Sequence, residues 1–523
     1  MSLTTACVWS FIRAIVVALL CLPIAWRVAG TLRTCSERTR RWLLAALLVP
    51  FLMPGLLIGF VYSETTLRVV RELSDPSATV VPPTQLRLPQ SMDRPMNSAD
   101  VVAEGLYGLI LLLRYVPVAA LMIWLLPAPR MSAEAIHCRR LLRRARNEPQ
   151  GVSPGSGGSP ARPTGANALR LTGWLSDLAR GPFSAMLPAF AVVFLLTFQE
   201  FEIASLLQIS RSPVSWAVWL FDNHAGGLVL SRSLLLTIGP VVCEVLVVGT
   251  VFALMLQGRT HDAVQSSAIG KASWPVSLIV AALALVVVVF APLVRMSRGL
   301  SVGVQSLVNQ PTMLASFGEE LLISLGFAIT SGLTAFWISG ALFDRSRVRV
   351  PLALICVAPG LIGALVLSLV ALALFQLPAM NFAYDTPLPM LLVLVVFLLP
   401  RALLLRLVFF ARQPGEPVVL SQLLARSEDS GLRQSGRNLL WALVSRPAFW
   451  VVALLTYWAY WDLTIASILR SINLEPFTPR LYNDMHYGRN ETLTAKTVLA
   501  ALFPVVLATL ALLLRRGVER IRR

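Results

Sequence analysis

Few side chains in this 523-residue sequence carry a charge inside its apolar stretches, and some of those few recur. Glu200 and Asp462 stand 262 residues apart in matching surroundings, Glu200-Phe-Glu-Ile-Ala-Ser-Leu-Leu207 and Asp462-Leu-Thr-Ile-Ala-Ser-Ile-Leu469. At the same offset Asp222, His224 and Gly226 return as Asp484, His486 and Gly488. An ionised side chain at membrane depth costs about 3 kcal/mol on insertion scales, so it turns toward a pore or a partner. Two carboxylates on facing helices would make a weak stepping site for a cation, with hard oxygen ligands of the kind metal cations take. The plainer alternative is that both acids cap or hydrate helix ends. Glu202 faces Thr464 in the matching register, which weakens its case. Glu244 sits in the middle of an apolar run and either lines a pathway or pairs with an arginine across the bundle. The two histidines have chemistry for metal ligation or pH sensing. Their place beside a turn-forming glycine favours interfacial or re-entrant segments that close an outer gate or receive a partner protein.

Enzyme chemistry has no foothold here. No GxxxxGK[ST], HExxH or GxSxG pattern occurs, so the chain is expected to hydrolyse no nucleotide itself and to need no cofactor or resident metal. The six cysteines (7, 21, 35, 138, 243 and 356) lack metal spacing and read as small hydrophobes.

The elements that must position these residues follow from composition. The chain is 56% hydrophobic and 14% charged, with a mean hydropathy of +0.71, far more apolar surface than one soluble core hides. Runs long enough to cross a hydrocarbon core predict eleven transmembrane helices, and lipid demands that they be helices. Their approximate ranges are 6–28, 42–62, 105–126, 183–207, 233–256, 274–294, 321–343, 351–375, 388–410, 448–469 and 495–514. The first is read as a retained helix, since it lacks a basic leader and a small-residue cleavage site.

A net charge of +18 would suit nucleic acid, but its distribution argues against that partner. Arginines cluster in alternate loops, most densely at 33–41 and 139–146, and the loops between carry fewer bases or balance them with acids. The positive-inside rule then places the N-terminus outside and the C-terminus in the cytoplasm, with the lipid bilayer as the chain's solvent.

A second echo, Pro54-Gly-Leu-Leu-Ile-Gly59 against Pro359-Gly-Leu-Ile-Gly363, extends the first. Matching segments at matching depth predict two copies of one membrane unit flanking a central pathway. Residues 1–262 would form a five-helix unit and residues 263–523 a six-helix unit, the first lacking a counterpart of span 274–294. Loop 127–182 carries a Gly/Ser/Pro-rich insert at about 147–170, expected to be flexible. Loop 411–447 is helix-permissive from Leu420 to Leu443.

In this order, the motifs resemble the fused, two-copy permease subunits of binding-protein-dependent ABC importers, closest to the ferric-iron branch with its thiamine and phosphonate relatives. The likeness rests on the two Pro-Gly-Leu helix starts, Leu113-Arg-Tyr-Val-Pro-Val-Ala119, Phe198-Gln-Glu-Phe-Glu-Ile-Ala204, and Arg480-Leu-Tyr-Asn-Asp-Met-His-Tyr-Gly488. It implies an all-α protein of the bacterial inner membrane. Its partners would be cytoplasmic ATP-binding cassette ATPases and a periplasmic or lipid-anchored substrate-binding protein, its mechanism alternating access, and its best-matching cargo ferric iron. The binding protein would meet Asp222, His224 and Gly226 together with Asp484, His486 and Gly488. The ATPase-coupling helices of such permeases carry Glu-Ala-Ala followed by Gly. This sequence departs from that pattern, offering Glu134 and Ala135 in the first copy and Ala425, Glu428 and Gly431 in the second. Those departures leave open a permease-derived scaffold that no longer transports.

Overall fold

The structure, a computed structural model, describes residues 2–74, 98–125, 137–138, 141, 184–208, 213–257, 272–343, 355–410, 415–471, 473–486 and 490–521. Among these the fold is all helical. Nine helices are long and apolar enough to cross a membrane, or eleven if each of two bent pairs counts as one span. That is the architecture of a multi-pass membrane protein, and its long helices turn residues such as Leu235, Leu246, Trp337 and Leu514 outward.

The first half comprises α1 (Leu3–Thr34), α2 (Glu37–Leu52), α3 (Gly55–Ser74), α4 (Ser98–Leu125), α5 (Met186–Phe198), α6 (Glu202–Leu207), α7 (Trp216–Ala225) and α8 (Leu230–Gln257). The chain continues through α9 (Trp274–Ala284), a π-helical stretch (Leu285–Phe290), α10 (Ala291–Ser297) and α11 (Leu300–Asn309). Then follow α12 (Pro311–Phe343), α13 (Ala364–Phe375), α14 (Leu388–Phe410), α15 (Gly415–Ala425), α16 (Ser430–Leu440), α17 (Arg446–Tyr460), α18 (Thr464–Leu469), α19 (Phe477–His486) and α20 (Asn490–Ile521). In the first half α1 packs along α4 and α5, and α3 lies against α6. In the second, α12 packs along α14 and α17, and α13 lies against α18.

Four of the eleven expected spans are not straight rods. Span 42–62 bends by 69° between α2 and α3, and span 351–375 by 112° before α13. Both bends fall at the Pro-Gly echoes. Pro54 and Pro359 cannot donate a helical hydrogen bond, and glycine accepts the turn. Gly363 has φ +87°, a conformation that a side chain resists, and a Cβ there would lie 3.1 Å from the Gln199 amide carbon. Spans 183–207 and 448–469 are broken instead, at Gln199–Phe201 between α5 and α6 and at Trp461–Leu463 between α17 and α18. These breaks are held from outside the helices. Trp216 donates its indole N–H to the Phe198 carbonyl (2.7 Å) and its backbone N–H to Ser10 Oγ (3.0 Å). In the second half the Phe477 N–H reaches Ser324 Oγ (2.9 Å), and the Thr478 hydroxyl donates to the Asp462 carbonyl (3.1 Å).

Sequence order assigns the span at Trp274–Ser297 to the second half, but it lies mainly against the first, on α1, α2, α3 and α4. Ser277 donates to Thr31 Oγ1 (2.8 Å), Tyr62 to the Val287 carbonyl within the π-helical stretch (2.7 Å), and Arg295 to Thr65 Oγ1 (2.8 Å). Burial separates centre from periphery. The windows in α4 and in α5–α6 are 61% and 72% buried, and that in α20 only 11%.

Candidate functional site

The two breaks and the two bends meet at one cavity of about 180 Å³, walled by both halves. From the first half come the α2–α3 bend (Phe51 to Gly55), Arg114 and Tyr115 on α4, and the broken span from Leu196 to Glu202. From the second come Ala364 on α13, Phe397 and Arg401 on α14, and the broken span with Tyr457, Trp458, Trp461, Asp462 and Thr464.

A helix that stops inside a bundle leaves backbone N–H groups needing acceptors, and its N-terminus carries partial positive charge. The carboxylates meet that need. Glu200 takes the N–H groups of Ile203 (2.6 Å) and Ala204 (3.0 Å), capping α6, and also accepts the Tyr107 hydroxyl at 2.6 Å. Asp462 takes the Ile465 N–H at 2.7 Å, capping α18. Both acids are buried, Glu200 at 7% and Asp462 at 8% exposure. The capping alternative thus describes their hydrogen bonding, and the cavity places them on the candidate pathway as well.

Glu200 is fixed further by its neighbours. The Arg13 guanidinium lies 4.8 Å from the Tyr107 ring centre, pairs with Glu104 and donates to Ser215 Oγ at 2.8 Å. Glu244, on α8, does not line the cavity. It accepts from Gln199 Nε2 at 3.0 Å, and the same nitrogen reaches the Leu361 carbonyl at 2.6 Å. Gln199 therefore ties both halves to one buried acid, and Glu244 is paired through an amide rather than with an arginine.

Sequence reasoning passed over the two guanidiniums. Arg114 and Arg401 lie on α4 and α14, the two helices that pack on α1 and α12. Both line the cavity. Each is an arginine in a largely apolar run, Arg401 sharing its helix with Arg406, and each lies within three residues of a helix proline, Pro117 or Pro400. That pairing of intramembrane charge with a helix irregularity was the available signal. Arg401 donates to the Phe397 carbonyl (2.8 Å) and stacks on the Phe397 ring at 3.8 Å. Gly55 keeps the opposite wall open, since a Cβ there would come within 2.6 Å of Glu202 Oε2 and 2.9 Å of Arg114 Nη1. Glu202 and Thr464 both line the cavity, whereas the Tyr460 hydroxyl turns away to the Ala500 carbonyl (3.1 Å).

The remaining candidate residues lie elsewhere. Asp222, His224 and Gly226 close the C-terminal end of α7, where the Gly226 N–H meets the Asp222 carbonyl (2.8 Å) and His224 Nδ1 is 3.2 Å from Ser233 Oγ. Asp484 on α19 is committed to the buried Lys496 ammonium at 2.9 Å. His486 stacks obliquely on Tyr482, and partial burial holds its imidazole below the usual range of proton affinity. None of these is among the cavity-lining residues, and Gly488 lies outside the described residues.

Of the coupling candidates, Glu134 and Ala135 also lie outside the described residues. Ala425 ends α15, Glu428 sits in the turn, and Gly431 opens α16 with its N–H on Asp429 Oδ1 (2.7 Å). Gly436 lets α15 and α16 cross closely, for a Cβ there would press on the Ala425 nitrogen and lie 2.7 Å from Leu424 Cβ.

No group of three or more metal-ligating side chains gathers among the described residues. The three cavity acids are therefore available as charges and hydrogen-bond acceptors. No protein-family model, curated protein or solved structure matches this chain.

Proposed function

We propose that the chain is the membrane permease of a solute importer, with its pathway through the cavity between two homologous halves. The observation that carries this reading is the cavity's construction. Each half contributes a broken span capped by a carboxylate and an arginine from the helix beside it. Discontinuous helices whose ends point into a site at the interface of two repeats are the way transporters build solute sites in lipid. Paired contacts support the two-copy arrangement. The α1–α4–α5 packing has its counterpart in α12–α14–α17, and the Ser10–Trp216 bond in the Ser324–Phe477 bond. Alternating access would come from one half rocking against the other, with Gln199 and its bond to Leu361 at the seam.

In the ABC importer version of this reading, ATPase subunits dock on the α15–α16 hairpin and on the first copy's loop. The substrate-binding protein then meets the segments around α7 and α19. A transport-inactive scaffold is the second reading, favoured by the departures at Glu134–Ala135 and Ala425–Gly431 and by the use of Glu200 as a cap. Gentle purification from native membranes separates the two. Stoichiometric recovery of an ATPase bearing an intact nucleotide-binding loop, together with a solute-binding protein, is the expected result. Recovery of the chain without either, where a control importer stays assembled, would refute the importer.

A further inference from the structure

We propose that the cavity receives a small zwitterion, an ammonium carboxylate, in preference to a bare metal cation or a simple anion. This deepens the permease reading and rests on it. Three carboxylates (Glu200, Glu202 and Asp462) and two guanidiniums (Arg114 and Arg401) line one space of about 180 Å³. A bare cation entering it meets two like charges at close quarters, and a simple anion meets three. Such opposition excludes single-charge solutes more strongly than attraction selects them. A solute carrying both signs satisfies both sets.

Unmet hydrogen-bond donors give the direction. Arg114 Nε and the indole Nε1 of Trp461 are buried with no acceptor among the described residues, and Trp461 is 4% exposed. Buried donors in native proteins are nearly always satisfied, so these two await oxygens from an occupant. A carboxylate supplies them, and with Arg114 it makes the stronger, charge-assisted kind of bond. Away from Arg114 and its neighbour Glu202, the other end of the occupant finds Asp462 and the rings of Tyr457 and Trp458, the combination of carboxylate and ring that holds an ammonium group. The volume lies below the ~300–1,000 Å³ of pockets for drug-sized ligands, which suits a small solute.

The test uses the full chain in sealed membrane vesicles, with the six native cysteines replaced and a single reporter, Ala364→Cys, in the cavity wall. A membrane-impermeant thiol reagent is applied from each face, with and without glycine betaine, tetramethylammonium, acetate or ferric citrate at matched concentration. Labelling from at least one face is expected, and a reporter that stays unlabelled from both faces overturns the permease reading itself. Given labelling, glycine betaine should slow it at least fivefold, and each of the other three less than twofold. Arg114→Met should abolish the protection while the unprotected labelling rate stays within twofold, which shows that the bundle still folds. The zwitterion assignment falls if glycine betaine gives no protection, or if tetramethylammonium, acetate or ferric citrate protects equally. Either result leaves the water-accessible pathway standing.

Discussion

Removing the Glu200 carboxylate tests whether the broken span is held as described. Glu200→Ala strips an acceptor from three donors at once, the Tyr107 hydroxyl and the N–H groups of Ile203 and Ala204. A buried donor left unmet costs about 1–3 kcal/mol, and losing an N-cap costs about 1 kcal/mol. Water in the cavity beside the half-buried Glu202 can offset part of the backbone loss. Tyr107, 2% exposed and beneath the Arg13 guanidinium, has no such recourse. The total comes to about 2–4 kcal/mol, the Tyr107 loss and the cap loss together. Glu200→Gln keeps one acceptor oxygen and should cost about 1–2 kcal/mol, the difference between charged and neutral hydrogen bonds. The assay is unfolding of the reconstituted protein by a denaturing detergent, followed by tryptophan fluorescence, with Tyr107→Phe completing a double-mutant cycle. A coupling of about 1 kcal/mol is expected between the two positions, because they share one bond. A Glu200→Ala loss below about 1 kcal/mol, the scale of one ordinary cap, or the absence of coupling to Tyr107 would refute the capping account.

Other positions yield separate expectations. Gly55→Ala should cost about 1–2 kcal/mol, because the new methyl displaces the ends of Glu202 and Arg114 and presses on Glu202 Cβ at 3.1 Å; solute uptake in proteoliposomes should fall at least tenfold. Lys496→Met strands the buried Asp484 carboxylate and should destabilise by about 3–5 kcal/mol; adding Asp484→Asn should restore most of that in the same unfolding assay. Gly436→Val should splay α15 from α16 and lower the yield of co-purified ATPase, with the unfolding midpoint of the transmembrane bundle unchanged.

The spans were legible because lipid forces length and apolarity on them together, and all eleven expected segments have helical counterparts among the described residues. Both Pro-Gly bends were marked by residues that cannot continue a helix. The two breaks were marked only by Gln199 and Glu200 in one and Asp462 in the other, residue types that a helix interior also tolerates. What stops those helices is a remote hydrogen bond, from Trp216 or Thr478, that no local pattern encodes. Glu200 and Asp462 stood out by their repetition. Whether they cap or line was undecidable from sequence, because one carboxylate at a helix end facing a cavity does both. Arg114 stood out only as part of the Leu113–Ala119 motif and Arg401 not at all, because no shared word surrounds them, although their helices occupy corresponding places in the two halves. The seat of Trp274–Ser297 was equally hidden. Lipid is as apolar as a neighbouring helix, so an apolar span carries little record of which bundle it joins.

That seat changes what counts as half of this molecule. The seam between the halves along the sequence, near residue 262, is not the seam in space, which the chain crosses only after Ser297. During synthesis the first five spans must wait in the bilayer with Thr31 and Tyr62 lacking their later partners until a sixth arrives to cover them. A gene cut at the sequence seam would therefore separate the first bundle from its own outer wall. A cut between Ser297 and Leu300 would divide the protein along a boundary that its packing respects, since α11 already lies against α12 and α20.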